Sequence, residues 1–379
     1  MGRNIRVLDN LLISLLSLLM VAVFILFPLS FSLLNTSQSV KEQYSLLDTY
    51  YTVNNMSYDR NSLIKTSSDI TIVDLTDVTE RPEVYAVLKK IITAEPRLIG
   101  FDVWMAHTDT VPTPVEDSLR LLLSGNPKIV SPCVLSGESS RNNTSFLYVD
   151  FPFYASEEAS NIAAANIDLM GTNWNCRTFT PVLSCQGREY ESFAVALSSQ
   201  LSPNSYHKVM MQPSRPHYIN YSRIGYQNLS GSFLLTDTTG ISEMLIKDKV
   251  VLVGDTNDIS DLYPTPIKIR MSGVEIHANI LNTILTESWP RIMSDFLAWI
   301  VAFLGVFCLI PFIRSLQKND WLRIFSGAIR ALLILLLVFL SYLVFVKCHY
   351  YIKIIYLVLG IGFMEIAESL YKKLTNKRK

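Results

Sequence analysis

The sequence is poor in most of what an enzyme site or a nucleic-acid surface requires. Its 379 residues include five cysteines and five histidines. No Cys-x-x-Cys pair and no Cys/His spacing suited to zinc occurs among them. There is no G-x-x-x-x-G-K-[ST] phosphate loop, no H-E-x-x-H and no G-x-S-x-G elbow. Lys plus Arg and Asp plus Glu both number 33, a formal net charge of zero. That balance removes the basic surface on which bulk nucleic-acid binding depends. No internal repeat and no low-complexity tract is present. The expectation is a chain without catalytic residues, bound metal or cofactor, and without a nucleic-acid partner.

Apolar residues are abundant, at 49%, and they are concentrated at the two ends. The first run, "LLISLLSLLMVAVFILFPLSFSLL" (Leu11 to Leu34), carries no charge and is long enough to cross roughly 30 Å of hydrocarbon as a helix. Its apolar core exceeds the usual signal-peptide length of about 7–15 residues, so it reads as an uncleaved anchor with a kink at Pro28. Three more runs follow: Ile292 to Ile313, Ser326 to Val346 and Tyr350 to Leu370. Arg314, Lys318 and Arg323 lie between the first two of these. Lys372, Lys373, Lys377, Arg378 and Lys379 form the tail, and Arg3 and Arg6 precede the first run. Placing these Lys/Arg-rich segments in the cytoplasm puts both termini inside and residues 35–290 outside. Trp289 and Trp299 then mark the outer interface, Trp321 the inner one, and the Lys347–His349 turn closes a hairpin. The expected order is a cytoplasmic N-terminus (1–10), spans at 11–34, 292–313, 326–346 and 350–370, a cytoplasmic loop (314–325) and a cytoplasmic basic tail (371–379). This describes a multi-pass inner (plasma) membrane protein embedded in the lipid bilayer.

The exported part alternates between strand and helix. "DITIVDLT" is a buried-type strand, "RPEVYAVLKKIITA" has helical spacing with Pro82 in its first turn, and "RLIGFDVWM" is a second strand. "VEDSLRLLLSG" is a helix ending at Gly125, and "KIVSPCVL" is a third strand. "VVLVGDT" and the helix "GVEIHANILNTILTE" end the domain. Between them, "NIAAANIDL", "CRTFTPVLS", "REYESFAVALSSQL" and "RPHYINYS" read as an antiparallel excursion near 160–220. The fold class is therefore α/β, a mostly parallel sheet with an antiparallel excursion, joined to four transmembrane helices. Cys133, Cys176 and Cys185 lie where disulfides are permitted. Cys176 and Cys185 flank a strand that holds them too far apart to bridge, at about 3.3 Å per residue, unless it folds back. All three read as structural thiols.

Asp74, Asp102 and Asp255 each fall near the carboxyl end of an expected parallel strand, the edge at which open α/β sheets bind ligands. Two readings stand. The three carboxylates converge as an acidic ligand site, or each caps its own loop by accepting backbone N–H groups. His277 is the fourth candidate ligand-binding residue. Glu275, His277 and Asn279 do not share a helix face, so they form no ready-made ligand set, and a buried hydrogen-bonded imidazole is the alternative.

Three stretches, "ITIVDLTD", "EPRLIGFDVWM" and "KDKVVLVGDTNDISDLYPTPIKIRMSGVEIHANILNTIL", resemble the landmarks of the CHASE2 family, an extracellular sensor domain of bacterial signalling receptors. "NIDLMGTNWNCRTFTPVLSCQGREYESFAVAL" is similar to that family's central segment, with Arg177 on its strand. The resemblance spans roughly residues 45–290 and includes one helix before the domain and three after it. It departs from the usual pattern at "TERPEVY", where a Trp-Pro-Trp-like approach is typical, and at "YKKLTNKRK", where family receptors commonly continue into an output domain. The resemblance implies a sensor of an unknown extracellular or periplasmic ligand. Such a sensor would lack its own output and act through a protein signalling partner or as a homo-oligomer. The alternative is an envelope structural or assembly scaffold. A membrane-bound hydrolase with an Asp/His site is a third and weaker alternative.

Overall fold

The computed structural model describes residues 2–26, 46–59, 65–107, 112–138, 144–156, 161–168, 175–221, 224–316, 318 and 320–376. Residues 27–45, with Pro28 among them, and the basic residues 377–379 lie outside these. The chain divides into two compact units, residues 41–289 and residues 1–40 with 290–379.

The 41–289 unit is built on one sheet. Its nine strands among the described residues are β1 (Lys65–Asp74), β2 (Leu98–Phe101), β3 (Ile129–Glu138), β4 (Ser145–Asp150), β5 (Ile162–Ala164), β6 (Val182–Cys185), β7 (Arg188–Glu191), β8 (Ile224–Ser230) and β9 (Val250–Gly254). The order is β8-β1-β9-β2-β3-β4-β6-β7, with β5 also on β3. β8, β1, β9, β2 and β3 are mutually parallel, and so are β3 with β5 and β4 with β6. The β3–β4 and β6–β7 pairs are antiparallel. The sheet is thus mixed and mostly parallel, and its antiparallel part begins at β4, earlier than residue 160.

The central strand β9 is buried at every position, as its uninterrupted Val-Val-Leu-Val run requires of a strand covered on both faces. Alternation sends Val73, Ile99, Phe101, Val251 and Val253 into a cluster with Val87, Leu88 and Ile91 of the Arg81–Thr93 helix and Leu119 of the Pro114–Gly125 helix. The other face meets two later helices at close range. A Cβ on Gly100 would lie 3.0 Å from Leu197 and 3.1 Å from Phe193 of the Phe193–Leu201 helix. A Cβ on Gly254 would lie 2.9 Å from Val274 of the Gly273–Leu285 helix. The result is three layers, helix on sheet on helix.

The segment expected as one strand, "CRTFTPVLS", is two pieces, Thr178–Phe179 and β6. Pro181 lacks the N–H a continuous ladder needs. Thr178–Phe179 pairs with His217–Tyr218 instead. Cys133 and Cys176 are buried free thiols, and Cys185 is buried as well. Burial pushes the Cys133 and Cys176 thiols up to about 12.

The Leu46–Asp59 helix is tied to this central segment by a buried fork. Arg177 donates Nε to Asp48 Oδ1 at 2.9 Å and Nη2 to Oδ2 at 2.6 Å. Tyr51 donates to the Ile219 carbonyl at 2.7 Å, and Tyr221 to the Cys176 carbonyl at 2.8 Å.

In the other unit, three described helices are long and apolar enough to cross a membrane: Val7–Ile25, Asp295–Leu316 and Ile324–Cys348. The expected run 350–370 differs. Tyr350–Tyr351 pairs with Arg291–Ile292, and the helix starts at Ile355 and runs to Asn376, carrying Glu365, Glu368 and Lys372. Small residues bring these helices together. Ser17 donates to the Gly360 carbonyl at 2.8 Å, and a Cβ on Gly360 would lie 2.8 Å from Val306.

Asp48→Asn removes the carboxylate that forks onto the buried Arg177 guanidinium. The expected loss is about 3–5 kcal/mol of stability, with the double change Asp48→Leu/Arg177→Met recovering much of it. Denaturant unfolding of the detergent-purified chain measures both, and a loss below about 1 kcal/mol for Asp48→Asn contradicts the structural role given to the pair.

Candidate functional site

β1 and β9 end side by side, with Asp74 paired to Gly254 in the ladder. Oδ1 of Asp74 accepts from Thr76 N at 3.0 Å, Thr76 Oγ1 at 2.6 Å and Thr256 N at 3.1 Å. Oδ2 accepts from Thr256 Oγ1 at 2.5 Å. Burial pushes the Asp74 carboxyl upward, but the Thr256 and Thr76 donors outweigh it and hold the pKa below its ordinary value. Asp255 Oδ1 accepts from Asn257 N at 2.8 Å and Asp258 N at 3.1 Å, and lies 2.8 Å from Thr76 Oγ1. Thr76 has one hydroxyl proton, so it serves Asp74 or Asp255 at a given moment. Two of the three aspartates therefore meet through a threonine and brace the loops that leave the sheet.

Asp102 stands on the other side of β9, its N–H donating to the Val253 carbonyl at 2.8 Å. Alternation along β2 sends Asp102 to the face that carries Gly100, under the Gly273–Leu285 helix. Its Oδ2 lies 3.8 Å from Nε2 of His277. Asp261 completes the group. It accepts from the Gly273 N–H at 3.0 Å, a contact open only because residue 273 has no Cβ: that atom would lie 2.5 Å from Asp261 Oδ2. Ser272 and Glu275 cap the same helix in a reciprocal box.

Burial dominates the chemistry of this trio. It pushes the Asp102 carboxyl up to about 7. It raises Asp261 to about 6, aided by the Asp102 charge and opposed by His277 and the Gly273 N–H. It lowers His277 to about 4, against the pull of Asp261. At neutral pH the imidazole is uncharged and Asp102 is close to half-protonated. The trio can hold a proton but presents no activated nucleophile, and among the described residues no group of three His, Cys, Asp or Glu is placed to bind a metal ion.

On its other edge His277 borders a cavity of about 120 Å³. Ser192 and His277 both line it, and Ser192 Oγ and His277 Nδ1 are buried atoms without a hydrogen-bond partner among the described residues. Each unpartnered group costs about 1–3 kcal/mol if nothing satisfies it. Asp168 also lines the cavity and accepts from Thr178 at 3.3 Å and Thr180 at 3.1 Å.

The family model for the CHASE2 domain matches residues 19–312, more than half of the chain. The chain belongs to the CHASE2 family. No curated protein and no solved structure is significantly similar to it. CHASE2 is a sensory extracellular domain family, and its residues here form an α/β unit flanked by apolar helices. Within this CHASE2 domain Asp74 and Asp255 share one loop network, while Asp102 and His277 share a buried one with Asp261. Asp261 sits in the loop "DLYPTPI", and its sequence signal is Gly273, whose missing side chain makes room for it. Ser192 and Asp168 had no such signal, because only the folded central segment brings them beside the Gly273–Leu285 helix.

The raised Asp102 pKa has a definite sign. The folded chain keeps a proton that the unfolded chain releases above about pH 4, so this contribution favours folding at low pH and is lost as pH rises through about 7. Asp102→Asn removes that dependence. Relative to wild type the variant gains stability between pH 4 and pH 8, on the order of 2–4 kcal/mol. Hydrogen exchange of the peptide covering Val250–Gly254, followed across that range in both proteins, reads the difference, and parallel pH profiles contradict it.

Proposed function

We propose that the chain is a membrane-anchored sensor that recognises an extracytoplasmic ligand and acts through a protein partner or a second copy of itself, without catalytic activity of its own. The observation that carries this reading is the continuous CHASE2 match, which runs from inside the first apolar helix into the Asp295–Leu316 helix. An α/β sensory unit whose two ends both lead into membrane-length helices is suited to passing a conformational change to those helices.

In this reading residues 35–290 lie outside, both termini lie in the cytoplasm, and the Ile355–Asn376 helix is a fourth span. Support comes from its alignment with the Asp295–Leu316 helix. At one end Asp295 accepts from Lys353 at 2.8 Å and from Tyr356 at 2.9 Å. At the other, Arg314 donates to Glu368 at 2.9 Å and to Asn10 at 2.7 Å. A helix joined at both ends to a spanning one matches it in length. Its two acids are paired, Glu368 with Arg314 and Glu365 with Arg330, as intramembrane charges must be. The envelope-scaffold reading uses the same topology, and a stable envelope complex without a signalling component favours it.

Reporter fusions test the arrangement. A reporter active only in the cytoplasm is expected to work after Lys379 and to fail when inserted at the exposed Gln186–Gly187 turn. A three-span chain with the same N-terminal orientation silences the Lys379 fusion, and activity at Gln186–Gly187 overturns the sensor orientation. Repeated recovery of this chain alone and monomeric from mild detergent counts against the partner.

A further inference from the structure

The Ile355–Asn376 helix carries two carboxylates one turn apart, and the fold treats them differently. The Glu368 side chain, 12% exposed, is covered and lies against Arg314. Glu365 lies 2.5 Å from Nη2 of Arg330 on the neighbouring helix, yet its side chain is 49% exposed. Arg330 stands about 9 Å along the Ile324–Cys348 span from its first residue, at 1.5 Å per residue. With four spans, the pair therefore lies inside the hydrocarbon. Charges at that depth face a bundle interior and are paired there, because lipid offers no hydrogen bonds. Glu365 meets its arginine on one side and is open on the other. Arg330 also has capacity left. Its Nε donates to the Ser326 carbonyl at 3.3 Å and its Nη2 meets Glu365, which leaves further N–H donors.

The ground around the pair is low. Gly362 precedes Glu365 by one turn and Gly327 precedes Arg330 by one turn, so each glycine shares a face with its charged neighbour. A Cβ on either would meet nothing within 4 Å. Gly305 and Gly360 on the same bundle are packed, where a Cβ would lie 2.6 Å from Leu357 and 2.8 Å from Val306. Small residues on membrane helices admit a second backbone at close range. Gly305 and Gly360 do so within the chain, and Gly327 and Gly362 make no such contact in it. Only 11% of the Ile324–Cys348 span is buried, against 28% of the Asp295–Leu316 span.

The charges select the occupant. The face presents one cation with donors to spare and one anion with lone pairs to spare, at a common depth. A two-fold rotation about the membrane normal preserves that depth and brings Glu365 of each copy toward Arg330 of the other. The face is thus its own complement, as an isologous interface requires. A helix bearing one charge would leave either Arg330 or Glu365 without a new counterpart.

We propose that the chain pairs with a second copy of itself through this face, with Arg330 and Glu365 of the two copies joined in one ring of alternating charges between Gly327 and Gly362. The proposal deepens the sensor reading and rests on its fourth span.

The test uses the full chain, dye-labelled at its C-terminus, in vesicles of phosphatidylethanolamine and phosphatidylglycerol. Photobleaching steps per vesicle, followed as the protein is diluted in lipid, give the dissociation constant. The wild type is expected to pair. Gly327→Leu and Gly362→Leu each put a side chain into space that the chain's own fold leaves open, so both fold, and each is expected to weaken pairing by at least about tenfold. Arg330→Glu makes the face doubly acidic and Glu365→Arg makes it doubly basic. Each is expected to be monomeric alone, and the two to pair when mixed, which also shows that both are folded. A monomeric wild type, undiminished pairing in the glycine or charge variants, or a mixture that does not pair overturns the proposal. A silent Lys379 fusion overturns the fourth span and this interface with it. A working fusion on a chain that stays monomeric overturns the interface alone and leaves the sensor reading with a different protein as partner.

Discussion

A helix buried on nearly all sides has to satisfy its own polar atoms. The Gly273–Leu285 helix is in that position, with buried residues at Gly273, Val274 and continuously from Ile276 to Ile284. Asn279 and Thr283 are both satisfied within the fold. Asn279 donates to the Glu275 carbonyl at 2.8 Å and accepts from Tyr226 at 3.2 Å. Thr283 donates to the Asn279 carbonyl at 2.7 Å and accepts from the Asn220 N–H at 3.0 Å. Its first turn is closed by Ser272, Glu275 and Asp261. The helix lies on β9 because Gly254 leaves space for Val274. The sheet face, the acidic trio and the cavity are all arranged around this element, and His277 is where its polar accounting is left incomplete.

Legibility from sequence followed the strength of the local pattern. β1, β2, β3 and β9 are short β-branched runs bounded by turn residues, and their helices have clear apolar spacing, so the parallel core could be read directly. β4 and β8 could not. β4 exposes Leu147 and Tyr148, and β8, "IGYQNLS", is a polar edge strand. Their identity as strands comes from their partners rather than their residues. "CRTFTPVLS" looked continuous because a proline on an edge is compatible with a strand, yet Pro181 separates two different pairings.

The site shows the same division. That Asp74, Asp102 and Asp255 end parallel strands was visible. Which side of β9 each one serves was not, because that depends on tertiary partners: Thr76 and Thr256 for the first and third, Asp261 and His277 for the second. Arg177 stood out within the family's central segment, and its partner Asp48 lies 129 residues earlier on a helix whose sequence pattern is weak. Ion pairs over such separations are set by the fold, and sequence spacing carries no trace of them.

The His277 ring has one further property. A neutral imidazole carries a single proton on two nitrogens, and here Nε2 lies 3.8 Å from Asp102 Oδ2 while Nδ1 is buried at the opposite edge of the ring. A group that donates to Nδ1 forces that proton to Nε2, where it favours an ionised Asp102. A group that accepts from Nδ1 strips Nε2 of its proton and favours a protonated Asp102. The chemical character of whatever touches one edge of the ring is thereby written as the presence or absence of charge at the end of β2, next to the loop that holds Asp261. No backbone has to move for that message to cross the helix.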